Sequence, residues 1–295
     1  MSSTPVVIEA ALNGVTSKGR NPVVPITPEE HAHDAIMCID AGATVVHTHT
    51  HDMGAAPLDA AEAYAQAYAP IVDARPEAIL YPTTGLGPTI EVRYGHVEPL
   101  AERGLIRASF VDTGSVNLGG TGRDGVPPAS DYVYTNTFAD IAYKMATCER
   151  LGLGPSIAVF EPGFLRVVVA YHRAGRLPRG TLVKFYFSAG GYLARGEPLW
   201  GAPAIPAALD LYLAMLGDAP IPWAVAVLGG SLLDAPVARL AIERGGHLRV
   251  GLEDFDAGPE NAAQVEAATR LCKDLGRPVA TLAEAAALLD LPVGS

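Results

Sequence analysis

The chain has 295 residues, of which 49% are hydrophobic and 18% charged, a balance that predicts a folded globular protein rather than a disordered one. Its 32 acidic side chains outnumber 21 Lys and Arg, and the resulting net charge of −11 argues against nucleic acid as a partner. The three cysteines are too widely spaced for a disulfide framework or a CxxC zinc site, and no signal peptide or membrane-spanning run is evident, so a cytoplasmic protein is expected.

Short β-branched runs alternate along the chain with Ala- and Leu-rich segments of helical spacing. The predicted strands are Val6–Leu12, Thr44–Thr50, Ala78–Thr83, Ile106–Asp112, Ser156–Glu161, Leu182–Ser188, Trp223–Leu228 and Leu248–Asp254. The predicted helices lie near 28–41, 58–74, 90–103, 136–151, 162–175, 204–216, 234–244 and 259–275, with an extra C-terminal helix at Ala283–Leu289. Eight such alternations predict an α/β protein with a (β/α)₈ TIM barrel, one domain spanning 1–295. An open doubly wound sheet is the alternative, weakened by the absence of GxGxxG after the first strand.

Local signals mark where helices begin and end. Thr27-Pro28-Glu29-Glu30 predicts an N-cap, a first-turn proline and acids that favour the helix dipole. Gly42, Gly104, Gly152 and Gly245 stand where helices should end. The Gly- and Pro-rich segment 114–131 follows the fourth strand and is interpreted either as a lid or as an ordinary surface loop.

The second predicted strand carries three histidines at alternate positions, in the sequence VVHTHTHD from Val45 to Asp52. Because alternate strand residues share a face, His47, His49 and His51 are predicted to point the same way. Two imidazoles at this spacing can both bind one metal ion, and zinc suits them best among the common ions.

The eighth predicted strand, HLRVGLED, places Arg249 and Glu253 on one face and ends at Asp254. In a barrel the second and eighth strands flank the first, so Glu253 is predicted to join the two histidines as a third ligand. Two histidines, one carboxylate and an open position are typical of catalytic zinc. The alternative interpretation of Arg249 and Glu253 is a buried ion pair.

Other polar residues follow predicted strands at the end of the barrel where active sites occur. They are Asn13, Thr83, Ser115, Asn117 and Glu161. Each alone is equally typical of a turn or helix cap. Lys184, inside the sixth strand, is a further candidate, as a Schiff-base lysine or as a buried structural one.

Taken together, these stretches resemble the β-keto acid cleavage enzymes, a family that includes the 3-keto-5-aminohexanoate cleavage enzyme. The similar stretches are EAALNG, PITPEEHAHDA, AGATVVHTHTHD, TTG, GSVNLGG, FEPGF, PWAVAVLGG and GGHLRVGLEDF. They occur in order from near residue 8 to near residue 255, and the paired-histidine strand and RVGLED are the specific ones.

The resemblance implies a (β/α)₈ barrel with a divalent metal, usually zinc, in a homo-oligomer that is often a tetramer. It implies a reaction in which a β-keto acid and acetyl-CoA, the co-substrate, give acetoacetate and a new acyl-CoA. The implied metal ligands are His47, His49 and Glu253. The implied catalytic residues are Asp254 as the base, Arg249, Thr83 and Glu161, and the implied substrate contacts are Ser115, Asn117, Asn13 and His51.

Four positions depart from the family pattern, and one of them is Phe255, where an asparagine commonly follows RVGLED. His51 stands where an arginine is common, Gly230 replaces the arginine of a Gly-Arg pair, and Thr16 replaces an acid that binds a substrate amine. A neutral or polar β-keto acid is therefore the predicted substrate. The alternatives are a metal-dependent aldolase or hydrolase, and a catalytically silent homologue that binds metal or acyl-CoA.

Overall fold

Parallel strands form a nearly closed barrel with helices between them, as the sequence predicted. The computed structural model describes residues 4–190 and 196–291. The strands are β1 (Ile8–Ala11), β2 (Val45–Thr48), β3 (Ile79–Pro82), β4 (Ala108–Asp112), β5 (Gly154–Val159), β6 (Leu182–Ser188), β7 (Ala202–Pro203), β8 (Trp223–Leu228) and β9 (His247–Val250). The two-residue β7 was not predicted; it pairs with the end of β6 outside the ring of eight.

Helices follow the strands at nearly the predicted places. They are α1 (Pro28–Asp40), α2 (Pro57–Ala74), α3 (Ile90–Tyr94), α4 (Val97–Glu102), α5 (Phe138–Leu151), α6 (Pro162–Arg173), α7 (Pro206–Leu216), α8 (Pro236–Glu243), α9 (Asn261–Asp274) and α10 (Leu282–Leu288). Throughout the described parts of the chain, each helix is too short or too polar to traverse a bilayer.

The one helix predicted near 90–103 is instead two, α3 and α4, separated at Gly95. A side chain at Gly95 would sit 3.0 Å from the ring of Pro57, so glycine lets this break lie close against α2. The other start and stop signals are confirmed. Thr27 and Glu30 form a capping box at α1, and Gly152 ends α5 in the left-handed conformation with φ 65°.

The strand order around the barrel is β3-β2-β1-β9-β8-β6-β5-β4. Strands β2 and β9 therefore flank β1, as predicted, and Ala11 pairs with His47 while Glu9 pairs with Arg249. The ring closes between β3 and β4 through the Arg107 amide, which donates a hydrogen bond to the Leu80 carbonyl at 3.2 Å. This β3–β4 junction is called the seam below.

Helix α10 and the residues after it cover the amino-terminal end of the barrel. Leu289 and Leu291 are buried there against the first residues of several strands, among them Val45, Ile79 and Leu182. The helix predicted at Ala283–Leu289 thus covers the end opposite to the strand tips. Those carboxyl-terminal tips are left to the loops, which is where barrel enzymes carry their chemistry.

Candidate active site

Three side chains converge at the carboxyl-terminal ends of β2 and β9. His47 Nε2 lies 3.4 Å from Glu253 Oε2, and His49 Nε2 lies 3.5 Å from Glu253 Oε1. One ligand atom from each of the three lies within 4.8 Å of the other two, and all three side chains are buried. This spacing is what a single bound cation needs, so the structure brings together the three predicted metal ligands.

Unsatisfied polar atoms of this cluster face its centre. His47 Nδ1 donates to the Tyr81 carbonyl at 3.2 Å, which leaves Nε2 unprotonated and able to bind a cation. Among the described residues neither His47 Nε2 nor Glu253 Oε2 has a hydrogen-bond partner. Buried polar atoms are almost always paired, and a divalent cation would satisfy both. The donor set of two imidazoles and one carboxylate fits such an ion.

The ionisation states also suit a cation. Burial lowers the pKa of His47 well below its usual range, so the imidazole is neutral. Burial alone would raise the pKa of Glu253, but the charge of the Arg249 guanidinium outweighs it and holds that pKa well below normal. Neutral imidazole and ionised carboxylate are the forms that bind metal.

The predicted eighth strand, Leu248–Asp254, was wrong at its end, because β9 stops at Val250. Residues 251–254 form a turn instead. Gly251 adopts φ 144° and lies against the Ala11 carbonyl, where a side chain would collide with the backbone of β1. Strict strand alternation would place Glu253 and Asp254 on opposite faces; the turn brings both carboxylates to Arg249.

Arg249 joins the two acids at the tip of β9. Its NH2 lies 2.9 Å from Glu253 Oε1, while Nε and NH2 each donate to Asp254 at 3.0 Å. Burial raises the pKa of Asp254 to about 7, against the opposing charge of Arg249. The sequence left two interpretations of Glu253, a metal ligand or the partner of Arg249 in a buried ion pair. The two are compatible, because the Glu253 carboxylate pairs with Arg249 and also faces His47 and His49.

Below this layer the barrel interior holds a second ionic group that sequence reasoning missed. Arg249 NH1 donates to Glu9 Oε1 at 2.5 Å, and Lys184 Nζ lies 3.3 Å from the same oxygen. The Tyr81 hydroxyl donates to Glu9 and accepts from Lys184 at 2.6 Å. Burial opposes ionisation of Glu9, but Lys184 and Arg249 lower its pKa to about 2. Lys184 is thus engaged by Glu9 and Tyr81 beneath the cavity, which favours its structural interpretation.

Asn13, predicted to contact substrate, bonds the backbone of His49, one of the three clustered residues. Its Oδ1 accepts a hydrogen bond from the His49 amide at 2.9 Å, and its Nδ2 donates to the His49 carbonyl at 3.0 Å. The side chain is 3% exposed. The two bonds fix the backbone of His49 just beyond the end of β2, and a role in substrate binding stays a prediction.

Replacing Asn13 with alanine should therefore weaken metal binding by about 10- to 100-fold, because the residue that presents the imidazole loses both restraints. The free energy of unfolding should fall by about 1–3 kcal/mol, since a buried amide and carbonyl lose their partners. Calorimetric metal titration and denaturant unfolding measure the two effects. Asn117→Ala, on an exposed residue, is the matched control, and equal metal affinity in both variants would contradict this role.

His51 lies apart from the metal cluster. The predicted strand Thr44–Thr50 ends at Thr48 in the structure, so alternation does not extend to His51, whose side chain is exposed. The prediction that all three histidines point the same way was wrong for this one. Its assigned substrate contact stays a prediction.

The remaining predicted residues fall into two places. Thr83 is buried and lines the same cavity as His49 and Glu253. Ser115 exchanges hydrogen bonds with the Asn136 backbone, and Glu161 accepts one from the Gly201 amide at 2.8 Å. Both line a neighbouring groove, and Asn117 is exposed. The catalytic role assigned to Glu161 and the substrate contacts assigned to Ser115 and Asn117 stay predictions.

Two cavities meet at the tip of β9. The larger, of about 690 Å³, opens onto His49 and Glu253 and is walled by Thr83, the 84–93 segment, the 132–137 segment and several aromatic side chains. The smaller, of about 290 Å³, opens onto Arg249 and Asp254 and is bordered by Gly230. Of two adjacent residues, Glu253 thus lines the larger cavity and Asp254 the smaller one.

The loop after β4 contributes a second group that the sequence did not reveal. The Tyr134 hydroxyl donates to Asp112 Oδ2, and the backbones of Tyr134 and Val116 exchange hydrogen bonds of 2.9 and 3.0 Å. Burial raises the pKa of Asp112 to about 6, against the opposing charge of Lys144. Leu118, Tyr132 and Tyr134 of this loop line the larger cavity, so segment 114–131 and the residues following it form part of the site.

The chain is similar to known proteins along nearly its whole length. A model of the beta-keto acid cleavage enzyme family matches residues 5–291. A 3-keto-5-aminohexanoate cleavage enzyme of Acetoanaerobium sticklandii is 30% identical, over 97% of this chain and 98% of the relative. A 3-oxoadipate:acetyl-CoA acetyltransferase of Cupriavidus necator is also 30% identical, over 98% of this chain and 95% of the relative.

More distant similarities extend the comparison. A 3,5-dioxohexanoate:acetyl-CoA acetone transferase of Paraburkholderia graminis is 25% identical over 97% of this chain and 96% of the relative. Among solved structures, the binary complex of ObcA with oxaloacetate superposes with a TM-score of 0.66 at 19% identity, covering 92% of this chain and 68% of that one. The structural similarity establishes the barrel fold.

Proposed function

Because this chain belongs to the β-keto acid cleavage enzyme family, we propose that it transfers the acyl group of a β-keto acid to coenzyme A, with acetyl-CoA as co-substrate and acetoacetate as the second product. The relatives named for cleavage of 3-keto-5-aminohexanoate and for transfer between 3-oxoadipate and acetyl-CoA support this reaction. The proposed holder of the metal is the cluster of His47, His49 and Glu253, and zinc is the proposed ion.

The observation that carries the proposal is the convergence of this cluster with Arg249 and Asp254. A metal position with unsatisfied, inward-facing ligand atoms lies one residue from a buried carboxylate that Arg249 contacts through two nitrogens. A divalent ion held there would stabilise negative charge on the keto oxygen. A carboxylate beside it can take a proton from the neighbouring carbon.

In the proposed reaction, Asp254 transfers the proton and Arg249 supports it. Asp254 accepts a proton from the carbon between the keto and carboxylate groups, and that carbon attacks the acetyl-CoA carbonyl as CoA thiolate leaves. The thiolate next attacks the original keto carbon, and the bond from that carbon to the acetylated carbon breaks. Acyl-CoA is released, and the departing carbon regains the proton from Asp254 to give acetoacetate. Arg249 orients Asp254 and compensates negative charge throughout.

Two positions at the rim favour a change in how the substrates are anchored. Gly230 borders the smaller cavity, and a side chain added there would meet Ala189 at 2.8 Å. His51, at the other family arginine position, is exposed. We propose that charge supplied by arginines in the family pattern is not used here, and that anchoring depends on the contacts within the cavities.

A coupled assay tests the function. Zinc-loaded protein, incubated with acetyl-CoA and each β-keto acid of a panel, should give acetoacetate and the matching acyl-CoA. Chelation of the metal should abolish both products. Absence of acetoacetate across the panel with metal bound would overturn the proposal and favour the aldolase or silent-homologue alternatives. Aldolase activity independent of acetyl-CoA would identify the first of these.

Removal of one ligand tests the metal centre separately. Glu253→Gln should lose most of its bound metal, because the substitution removes the only carboxylate of the cluster, and acetoacetate formation should fall with it. Elemental analysis and the coupled assay report the two results. Glu260→Gln, the same change at the exposed N-cap residue that precedes α9, is the control, and metal content equal to that control would refute the ligand assignment.

A further inference from the structure

The walls of the larger cavity nearest the metal position are aromatic. Phe110 stacks on His47 with ring centroids 5.6 Å apart, and Phe160 stacks on Tyr186 at 5.0 Å. Tyr134 packs edge-on against Phe160 at 6.2 Å. These residues come from β4, the end of β5, β6 and the loop before α5, and all line the cavity. We call Phe110, Tyr134, Phe160 and Tyr186 the aromatic wall.

The charged side chains that line this cavity, apart from the metal-site residues, neutralise each other. Among the described residues they are Arg93 and Asp140. Arg93 NH2 lies 2.9 Å from Asp140 Oδ2, and Arg93 NH1 donates to the Thr135 carbonyl at 3.0 Å. Asp140 also accepts the Thr137 amide at 2.9 Å in the capping box of α5. Among the described residues that line the cavity outside the metal site, a charged group on a ligand would therefore meet no opposite charge that is not already paired.

The hydroxyl of Thr16, next to the cavity-lining residue Val15, is also engaged. Thr16 is buried, and its hydroxyl donates to the Leu252 carbonyl at 3.0 Å, which supports the turn that carries Glu253. Its neighbour Val15 and the opposite Leu228 present hydrocarbon to the cavity. A substrate ammonium would find no carboxylate at this point of the described structure other than the metal-site Glu253.

We infer that the larger cavity selects β-keto acids whose acyl group is uncharged and mostly hydrocarbon, packed against the aromatic wall. The inference rests on the proposed function for the orientation of the substrate, with its keto acid end at His47, His49 and Glu253. It distinguishes this chain from relatives named for an amino-substituted and a dicarboxylic keto acid. The selectivity arises because burying an unpaired charge is costly, whereas apolar surface gains by burial.

The test uses three ligands that differ only at the far end of a six-carbon chain. These are 3-hydroxyhexanoate, whose far end is hydrocarbon, 3-hydroxyadipate, which carries a carboxylate at C6, and 3-hydroxy-5-aminohexanoate, which carries an ammonium at C5; all three lack the keto group needed for cleavage. Calorimetric titration of the zinc-loaded protein should show 3-hydroxyhexanoate binding about 100-fold more tightly than either charged ligand. Equal or tighter binding of a charged ligand would overturn the inference.

The matching β-keto acids separate this inference from the proposed function. Acetoacetate formed preferentially from 3-oxohexanoate supports both. Acetoacetate formed preferentially from 3-oxoadipate or 3-keto-5-aminohexanoate upholds the reaction and overturns the inference. No acetoacetate from any of them, with the hydrocarbon ligand still bound most tightly, overturns the reaction and supports the selectivity of the cavity.

A pair of variants locates the acyl group. Leu118 is half-buried in the loop after β4 and lines the cavity, so Leu118→Glu adds a charge there and Leu118→Gln adds the same shape without charge. The Glu variant should improve binding of 3-hydroxy-5-aminohexanoate relative to 3-hydroxyhexanoate by about 10-fold over the Gln variant. Identical selectivity in the two variants would place the acyl group elsewhere and overturn its assignment to this cavity.

Discussion

The Asp254→Asn enzyme should keep its fold and its metal but lose turnover by about 100- to 10,000-fold, the usual contribution of a positioned general base. Asparagine keeps the shape of the side chain and can still accept one hydrogen bond from Arg249, which bonds both carboxylate oxygens in the native chain. It cannot hold the substrate proton between the two halves of the reaction. Steady-state rates of acetoacetate formation at saturating acetyl-CoA, together with metal content, measure the effect.

Asp256→Asn is the matched control for this variant. Asp256 lies two residues further along, outside both cavities, and pairs with Arg20. Its substitution should leave turnover near that of the native enzyme. Turnover in Asp254→Asn within a few-fold of the control would remove Asp254 as the base.

Arg249→Met should lower the free energy of unfolding by about 3–5 kcal/mol in the metal-free protein, the cost of breaking a buried ion pair from one side. The guanidinium is fully buried and contacts three carboxylates, those of Glu9, Glu253 and Asp254. Its loss leaves these acids with Lys184 as the remaining nearby cation, engaged with Glu9. Denaturant unfolding monitored by tryptophan fluorescence gives the change directly.

Two further variants serve as comparisons for the stability of Arg249→Met. Arg239→Met removes an exposed arginine whose pair with Glu243 spans 3.4 Å on α8, and it should cost less than about 1 kcal/mol. Arg249→Lys keeps the charge but presents one ammonium in place of a planar fork, so it should recover only part of the loss. A destabilisation in Arg249→Met no larger than in Arg239→Met would show that the buried network contributes little to stability.

The fold could be predicted from local patterns because each unit of the barrel carries its own signal. Strand and helix periodicities, the Thr27 capping box and the helix-ending glycines are properties of short segments, and the structure confirms them. The break between α3 and α4 was missed because it depends on contact with Pro57 of another helix. Such contacts are not visible within a segment of helical spacing.

The metal cluster was predictable from strand alternation and the order of strands in a barrel. His47 and His49 stand at alternate positions at the end of one strand, and Glu253 follows the strand two places away in the ring, so the three were expected to meet. That Glu253 and Asp254 both reach Arg249 was not predictable from the sequence. It depends on the turn after β9, which Gly251 makes possible beside the Ala11 carbonyl. The predicted strand ran to Asp254, so alternation was applied to residues beyond Val250, where β9 ends.

The buried group of Glu9, Lys184 and Arg249 left a signal that was not used. Glu9 and Lys184 are each the one charged residue of an otherwise apolar predicted strand, and Arg249 lies inside a third predicted strand, five residues before Asp254. Burying one such charge is too costly unless an opposite charge meets it. Three of them, one acidic and two basic, therefore predict mutual contact inside a barrel, and the structure shows it.

The seam between β3 and β4 determines where local opening of the barrel is easiest. Neighbouring strands elsewhere in the ring are joined by ladders of paired residues, whereas the seam is closed through the bond from Arg107 to Leu80. The larger cavity opens above this junction, between the segment after Thr83 and the loop that carries Tyr134. Local opening should need the fewest broken hydrogen bonds along this line. We therefore expect the barrel to widen first at the seam, beside the mouth of the larger cavity, whereas β2, β1 and β9, which lead to His47, His49 and Glu253, stay joined by their ladders.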